Sequence, residues 1–113
     1  MSRSVDVVIV GSGNVAEAFA RAVSGAQGLS LRQIFARNRE RGEQLASEFN
    51  TTWSNEPGAL KRADIYLIAV SDRAVESVAQ SLPFARGSMV VHTAGSVPMS
   101  IWKEYGLKHY GVF

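Results

Sequence analysis

The stretch whose residue types and spacing point most directly to chemistry is Gly11-Ser12-Gly13-Asn14-Val15-Ala16, a G-x-G-x-x-A pattern. It follows Val5 to Val10, a run that is β-branched except for Asp6, and it opens a helical pattern. That context gives the glycines a physical meaning. Gly11 permits a tight strand-to-helix turn. Gly13 lets the backbone approach a pyrophosphate with no Cβ in the way, and Ala16 is small enough for close packing of helix on strand. The helix start adds unpaired N–H groups and about half a positive charge, which suit a phosphate diester. A dinucleotide on Gly11, Ser12, Gly13, Asn14, Val15 and Ala16 is the expectation. The alternative is that the glycines only make a tight turn.

A dinucleotide domain reads the adenosine ribose at the tip of its second strand. NAD-specific domains place an acid there, about 20 residues past the glycines, to accept from the 2′-hydroxyl. Counted from Ala16, that position is Ala36, and Ala36-Arg37-Asn38-Arg39 contains no acid. Without the acid there is no repulsion against a 2′-phosphate, and guanidiniums offer permanently charged, forked donors. One charge-assisted hydrogen bond contributes about 1.5–3 kcal/mol, a tenfold preference or more. The expected cofactor is therefore NADP, with Arg37 the first choice for the phosphate contact, then Arg39. Asn38 would contact phosphate or ribose besides capping a helix. A solvated, basic helix start is the alternative, although cations are unfavourable there unless an anion lies between them.

Two further segments fall where ligands of open α/β sheets lie, at the carboxyl ends of strands. Ala69, Val70 and Ser71 end a fourth strand and would line the pyrophosphate and ribose edge. Ser71 and Asp72 are also helix-cap candidates, Asp72 the favoured one. Thr93, Ala94 and Gly95 end a fifth strand, where small residues leave room for the nicotinamide and a substrate. Thr93 or Ser96 could bond a carboxamide. His92 has the type and position of an acid–base group, but a lone histidine at a strand end is more often structural. No catalytic residue is assigned.

The elements that position these groups follow from periodicity. A buried strand is expected at Val5–Val10. From Asn14 to Ser24, Val15, Phe19, Ala22 and Val23 make one helix face. Leu31–Phe35 reads as a second strand. Asn38 is a fitting N-cap for a helix over Arg39 to Phe49, with Gly42, Leu45, Ala46 and Phe49 buried. Thr51–Trp53 is a short third strand, and Ile65–Val70 the clearest buried one. A helix carrying Val75, Val78, Ala79 and Leu82 is stopped by Pro83. Met89–His92, a short helix at Met99–Tyr105 and a sixth strand at Lys108–Phe113 complete the pattern. The tryptophans Trp53 and Trp102 have plain packing readings. Alternating strands and helices imply a doubly wound, mostly parallel α/β sheet of about six strands with helices on both faces.

Composition limits the remaining possibilities. The 113 residues make one domain, 46% hydrophobic and 19% charged, which is globular. There is no cysteine, so disulfides, thiolate metal sites and cysteine nucleophiles are excluded; two histidines do not make a histidine-rich metal site. A net charge of +2 gives no basis for binding nucleic acid or an anionic membrane. The longest clean apolar run, Ile65–Val70, is far below the ~20 residues that span a bilayer, and residues 1–6 have no signal-peptide core. A cytoplasmic location is the default expectation. The chain stops at Phe113 inside an apolar run, so it is expected to be part of a longer product.

Val7-Val8-Ile9-Val10-Gly11-Ser12-Gly13-Asn14-Val15-Ala16 resembles the cofactor turn of pyrroline-5-carboxylate reductase and of deazaflavin-dependent NADP oxidoreductases. Ala36-Arg37-Asn38-Arg39 is similar to their NADP-reading segment. Ile68-Ala69-Val70-Ser71-Asp72 and His92-Thr93-Ala94-Gly95-Ser96 most resemble a family pairing a Rossmann-like domain with a helical domain of unknown function. The resemblance implies the NADP-binding part of a reductase that passes hydride between NADPH and a small C=O or C=N substrate. It also implies a C-terminal helical domain, outside residues 1–113, that completes the active site and forms a homodimer. A non-enzymatic NADP-binding sensor or regulatory module is the alternative. An S-adenosylmethionine domain is disfavoured, because it too wants an acid where Ala36 and Arg37 stand.

Overall fold

The computed structural model describes residues 4–92 and 109–112. The chain order is β1 (Val5–Val10), α1 (Asn14–Gly25), β2 (Leu29–Phe35), α2 (Arg39–Glu48), β3 (Trp53–Ser54), β4 (Ile65–Ile68), α3 (Asp72–Ser81), β5 (Met89–His92) and β6 (His109–Val112). A 3-10 turn, Pro57–Ala59, follows β3. The strands form one six-stranded sheet in the order β3-β2-β1-β4-β5-β6, with every pairing parallel. This is the Rossmann-like, doubly wound topology expected from the sequence. The strand order reverses between β1 and β4, and the cleft of such a sheet lies at that point, above the carboxyl ends of the strands.

β1 shows why the sheet is covered on both sides. Val7 and Ile9 pack with Ala16, Ala20 and Val23 of α1 and with Leu45 and Ala46 of α2. Val8 and Val10 point the other way, to Val75 and Ala79 of α3, with Tyr66, Ile68 and Val90. Val7, Val8, Ile9 and Val10 are all buried, with only Val5 at the strand's start half-buried, which is why the run is apolar rather than alternating.

Several expectations shift in detail. The buried face of α1 is Ala16, Ala20 and Val23, with Phe19 packed against it, whereas Val15 is 50% exposed and Ala22 is also exposed. The helix is rotated so that small alanines meet the sheet, which allows the closer approach that the pattern's third small residue serves. α2 runs as expected, with Asn38 as its N-cap: its side chain accepts from the Arg41 amide at 3.0 Å. β3 is Trp53–Ser54 rather than Thr51–Trp53, and β4 ends at Ile68, so Ala69 and Val70 belong to the loop above it. Ser71, not Asp72, occupies the N-cap position of α3, and its hydroxyl makes no cap bond. The expected helix at Met99–Tyr105 lies outside the described residues.

Two buried polar side chains fix the connections. Gln33, 2% exposed, donates from Nε2 to the Ala59 carbonyl and accepts at Oε1 from the Lys61 amide, both at 3.0 Å. It anchors the stretch leading from β3 into β4. Tyr66, fully buried, donates to the Lys61 carbonyl at 2.7 Å and accepts from the Ala85 amide at 3.2 Å. Buried polar groups satisfied in this way specify a loop path as well as stabilising it.

Candidate functional site

Gly11 stands where three strands converge. Its amide donates to the Phe35 carbonyl at the end of β2 at 2.8 Å, while the Ala69 amide, just past β4, donates to the Val10 carbonyl at 2.7 Å. Its φ is +126°, and a Cβ there would lie 2.2 Å from the Ala69 carbonyl oxygen. Glycine is therefore required at residue 11 by the chain itself.

Gly13 differs. Its φ of −82° is ordinary, and a Cβ there would meet nothing within 4 Å. It is the N-cap of α1, and the first helical bond runs from the Glu17 amide to its carbonyl at 3.0 Å. The amides of Asn14, Val15 and Ala16 therefore have no intrahelical partner. No described residue requires a glycine here, and the space in front of it is open.

That space is a cleft of about 500 Å³. One wall is the turn Gly11–Gly13 with the tip of β2, Ala36, Arg37 and Asn38. The other is Ala69, Val70 and Ser71 with a largely half-buried face of α3, and Asn55 and Pro57 also line it. Ala16 lies fully buried beneath the turn, acting through packing, and Val15 is exposed outside the cleft. Thr93, Ala94, Gly95 and Ser96 lie outside the described residues. His92 is fully buried in β5, opposite Ile68, and does not line the cleft.

The three arginines at the β2–α2 corner divide their work. Arg37 lines the cleft, and its bond among the described residues is a long one, 3.4 Å from Nη2 to the Ser77 hydroxyl on α3. Arg39 donates to Glu43 at 3.0 Å, with its guanidinium 5.8 Å from the Trp53 ring, and does not line the cleft. Arg41 donates to the Ser12 carbonyl at 3.0 Å, to Gln44 at 3.3 Å and to Glu17. Among the described residues, Arg37 is thus the cleft guanidinium with no carboxylate partner. Glu17 is held below the ordinary carboxylate value of 4.5, first by the Arg41 hydrogen bond; desolvation opposes this, and the charge of Arg41 and the contact with Arg21 add to it.

Trp53 braces the same corner. Its Nε1 donates to the Ala36 carbonyl at 3.0 Å, and its ring lies where a Cβ on Gly42 would come within 2.2 Å. The packing role expected of Trp53 is present, and it fixes the strand tip that carries Arg37.

The sequence reading missed the α3 wall. Ala74, Ser77, Val78 and Ser81 line the cleft. Their spacing of three, four and seven forms a stripe of mostly small residues beside the buried Val75, Ala79 and Leu82. The signal was present, but the apolar stripe next to it is stronger. Asn55 and Pro57 carried no periodic signal.

No curated protein matches this sequence. Among solved structures, a candidate NADP oxidoreductase of Bacteroides fragilis is 28% identical, with a TM-score of 0.87 over 97% of this chain and 43% of its own. A Synechocystis biliverdin reductase, solved with biliverdin and NADP+, is 21% identical, with a TM-score of 0.71 over 96% of this chain and 37% of that one. A Streptococcus pyogenes 1-pyrroline-5-carboxylate reductase is 16% identical, with a TM-score of 0.74 over 96% and 39%. This chain therefore spans about two fifths of the length of these structures. Residues 6–95 match the model of the family described as NADP oxidoreductase, coenzyme F420-dependent. With that match over most of its length, on a Rossmann-like fold, the chain belongs to this NADP oxidoreductase family, and NADP is its cofactor.

Proposed function

We propose that this chain seats NADPH across the carboxyl ends of β1, β2 and β4, as the cofactor-binding part of an oxidoreductase acting on a small C=O or C=N substrate. Bound NADPH supplies the hydride; the protein supplies binding, orientation and electrostatics. The pyrophosphate lies over residues 11–16, on the free amides at the start of α1. Arg37 grips the 2′-phosphate, with Ala36 and Asn38 beside it. Asn38 already accepts from the Arg41 amide through Oδ1, so its Nδ2 amide is the group that serves a ligand. Arg39, held by Glu43, acts at longer range. Ala69, Val70 and Ser71 line the ribose edge.

The observation that carries this reading is the pairing, on one cleft, of an open position at Gly13 with Arg37, a guanidinium that has no carboxylate partner among the described residues. Its volume of about 500 Å³ is that of an ordinary ligand site. The test is Gly13→Val, studied by calorimetry with NADPH and by thermal melting. A Cβ at residue 13 has no protein atom beyond its chain neighbours within 4 Å, so the melting temperature should stay within a few degrees while NADPH binding is lost. Unchanged affinity in that variant would put the cofactor elsewhere.

A further inference from the structure

Arg41 has no part in the cofactor contacts above, yet its guanidinium ties three segments together. Nε donates to the Ser12 carbonyl in the glycine turn at 3.0 Å, Nη2 to Glu17 in the first turn of α1, and Nη1 to Gln44 of α2 at 3.3 Å. Glu17 is held in turn by Arg21 at 3.3 Å, and Arg21 also reaches Glu48 at 3.3 Å. The Arg41 and Glu17 side chains are only 27% and 32% exposed, so this contact is better sheltered than the Arg39–Glu43 pair at 76% and 50%.

The bond to Ser12 matters because of what that carbonyl belongs to. The Ser12 C=O and the Gly13 N–H share one planar peptide and point in opposite directions. Holding the oxygen toward Arg41 aims the Gly13 N–H the other way. Gly13 has no side chain of its own to restrain that peptide, and α1 begins only after it. The Arg41 charge is meanwhile matched by Glu17.

We propose that Arg41 is a positioning residue: it orients the Ser12–Gly13 peptide for the cofactor's pyrophosphate, and it acts through that peptide rather than by touching the 2′-phosphate. This rests on the cofactor seat described under Proposed function. The test compares wild type, Arg41→Met and Arg41→Lys by calorimetry with three ligands: NADPH, NADH and adenosine 2′-monophosphate, which has a 2′-phosphate but no pyrophosphate. Arg41→Met should weaken NADPH and NADH by the same factor, about fivefold, the effect of one net hydrogen bond. Adenosine 2′-monophosphate should bind the variant as it binds wild type. Arg41→Lys keeps one cationic donor in reach of Ser12 and should recover part of the loss.

A loss confined to NADPH and adenosine 2′-monophosphate would mean that Arg41 holds the 2′-phosphate itself, and would overturn the proposal. A loss shared by all three ligands would point to general collapse of the corner and would also overturn it. So would unchanged binding of both dinucleotides in Arg41→Met. If wild type binds neither dinucleotide, the failure lies with the cofactor seat and not with Arg41 alone.

Discussion

The two glycines of the turn have different causes, and substitution separates them. Gly11 is constrained from within, by its φ of +126° and by the Ala69 carbonyl 2.2 Å from any Cβ. Gly11→Ala should destabilise the fold by about 3 kcal/mol or more, seen as a lower midpoint in urea. Gly13 carries no such constraint from the described residues, and under the proposed seating of the cofactor its substitution should affect binding alone. Arg37 differs again, since among the described residues removing it disturbs only the long bond to Ser77. Arg37→Ala should weaken NADPH about tenfold or more and NADH little, with the difference shrinking as salt rises. Equal losses for both cofactors would remove Arg37 from the phosphate site. At this scale the sequence was informative: the tight turn at Gly11 could be read from residue type and offset, and the structure brings Gly11, Gly13 and Arg37 to one cleft. It could not show that Arg39 would be drawn off by Glu43 and Trp53, or Arg41 by Glu17 and Ser12, because those partners are set by how α2 packs beside α1.

The elements are held in register by a few polar ties that periodicity does not reveal. Tyr66 sits in an apolar run and reads as core, but its hydroxyl joins the Lys61 carbonyl to the Ala85 amide. Tyr66→Phe leaves the buried Ala85 amide and the partly buried Lys61 carbonyl short of a partner and should cost about 2 kcal/mol, measurable by denaturant unfolding. The tie between α1 and α2 is electrostatic and so depends on pH. Glu17 is held below its ordinary 4.5 in the folded chain, so the tie stabilises fully above that value and is lost as pH falls through the lowered folded value. The gap in melting temperature between wild type and Glu17→Gln should therefore be constant near neutral pH and close in acid below about 4.5. A gap that widened in acid would contradict the assignment. Strand and helix positions were legible because both periods are strong here. The missed edges, at β3 and at the end of β4, are short segments where one or two residues decide whether a ladder continues.

For the whole molecule, the alternation of strands and helices was sufficient to give a parallel sheet covered on both faces, because few connections are available to such a chain. The place of the cleft then follows from the strand order, with β1 between β2 and β4. Its α3 wall did not follow, since Ala74, Ser77 and Ser81 take their role from the crossing of α3 over the sheet and not from any motif. Among the described residues no helix is long and apolar enough to cross a membrane. The central claim concerns the cofactor, and a side-by-side titration of this chain with NADPH and NADH tests it most directly. The account predicts saturable one-to-one binding of NADPH, at least about tenfold tighter than NADH at low salt. Equal affinities, or tighter binding of NADH, would contradict it.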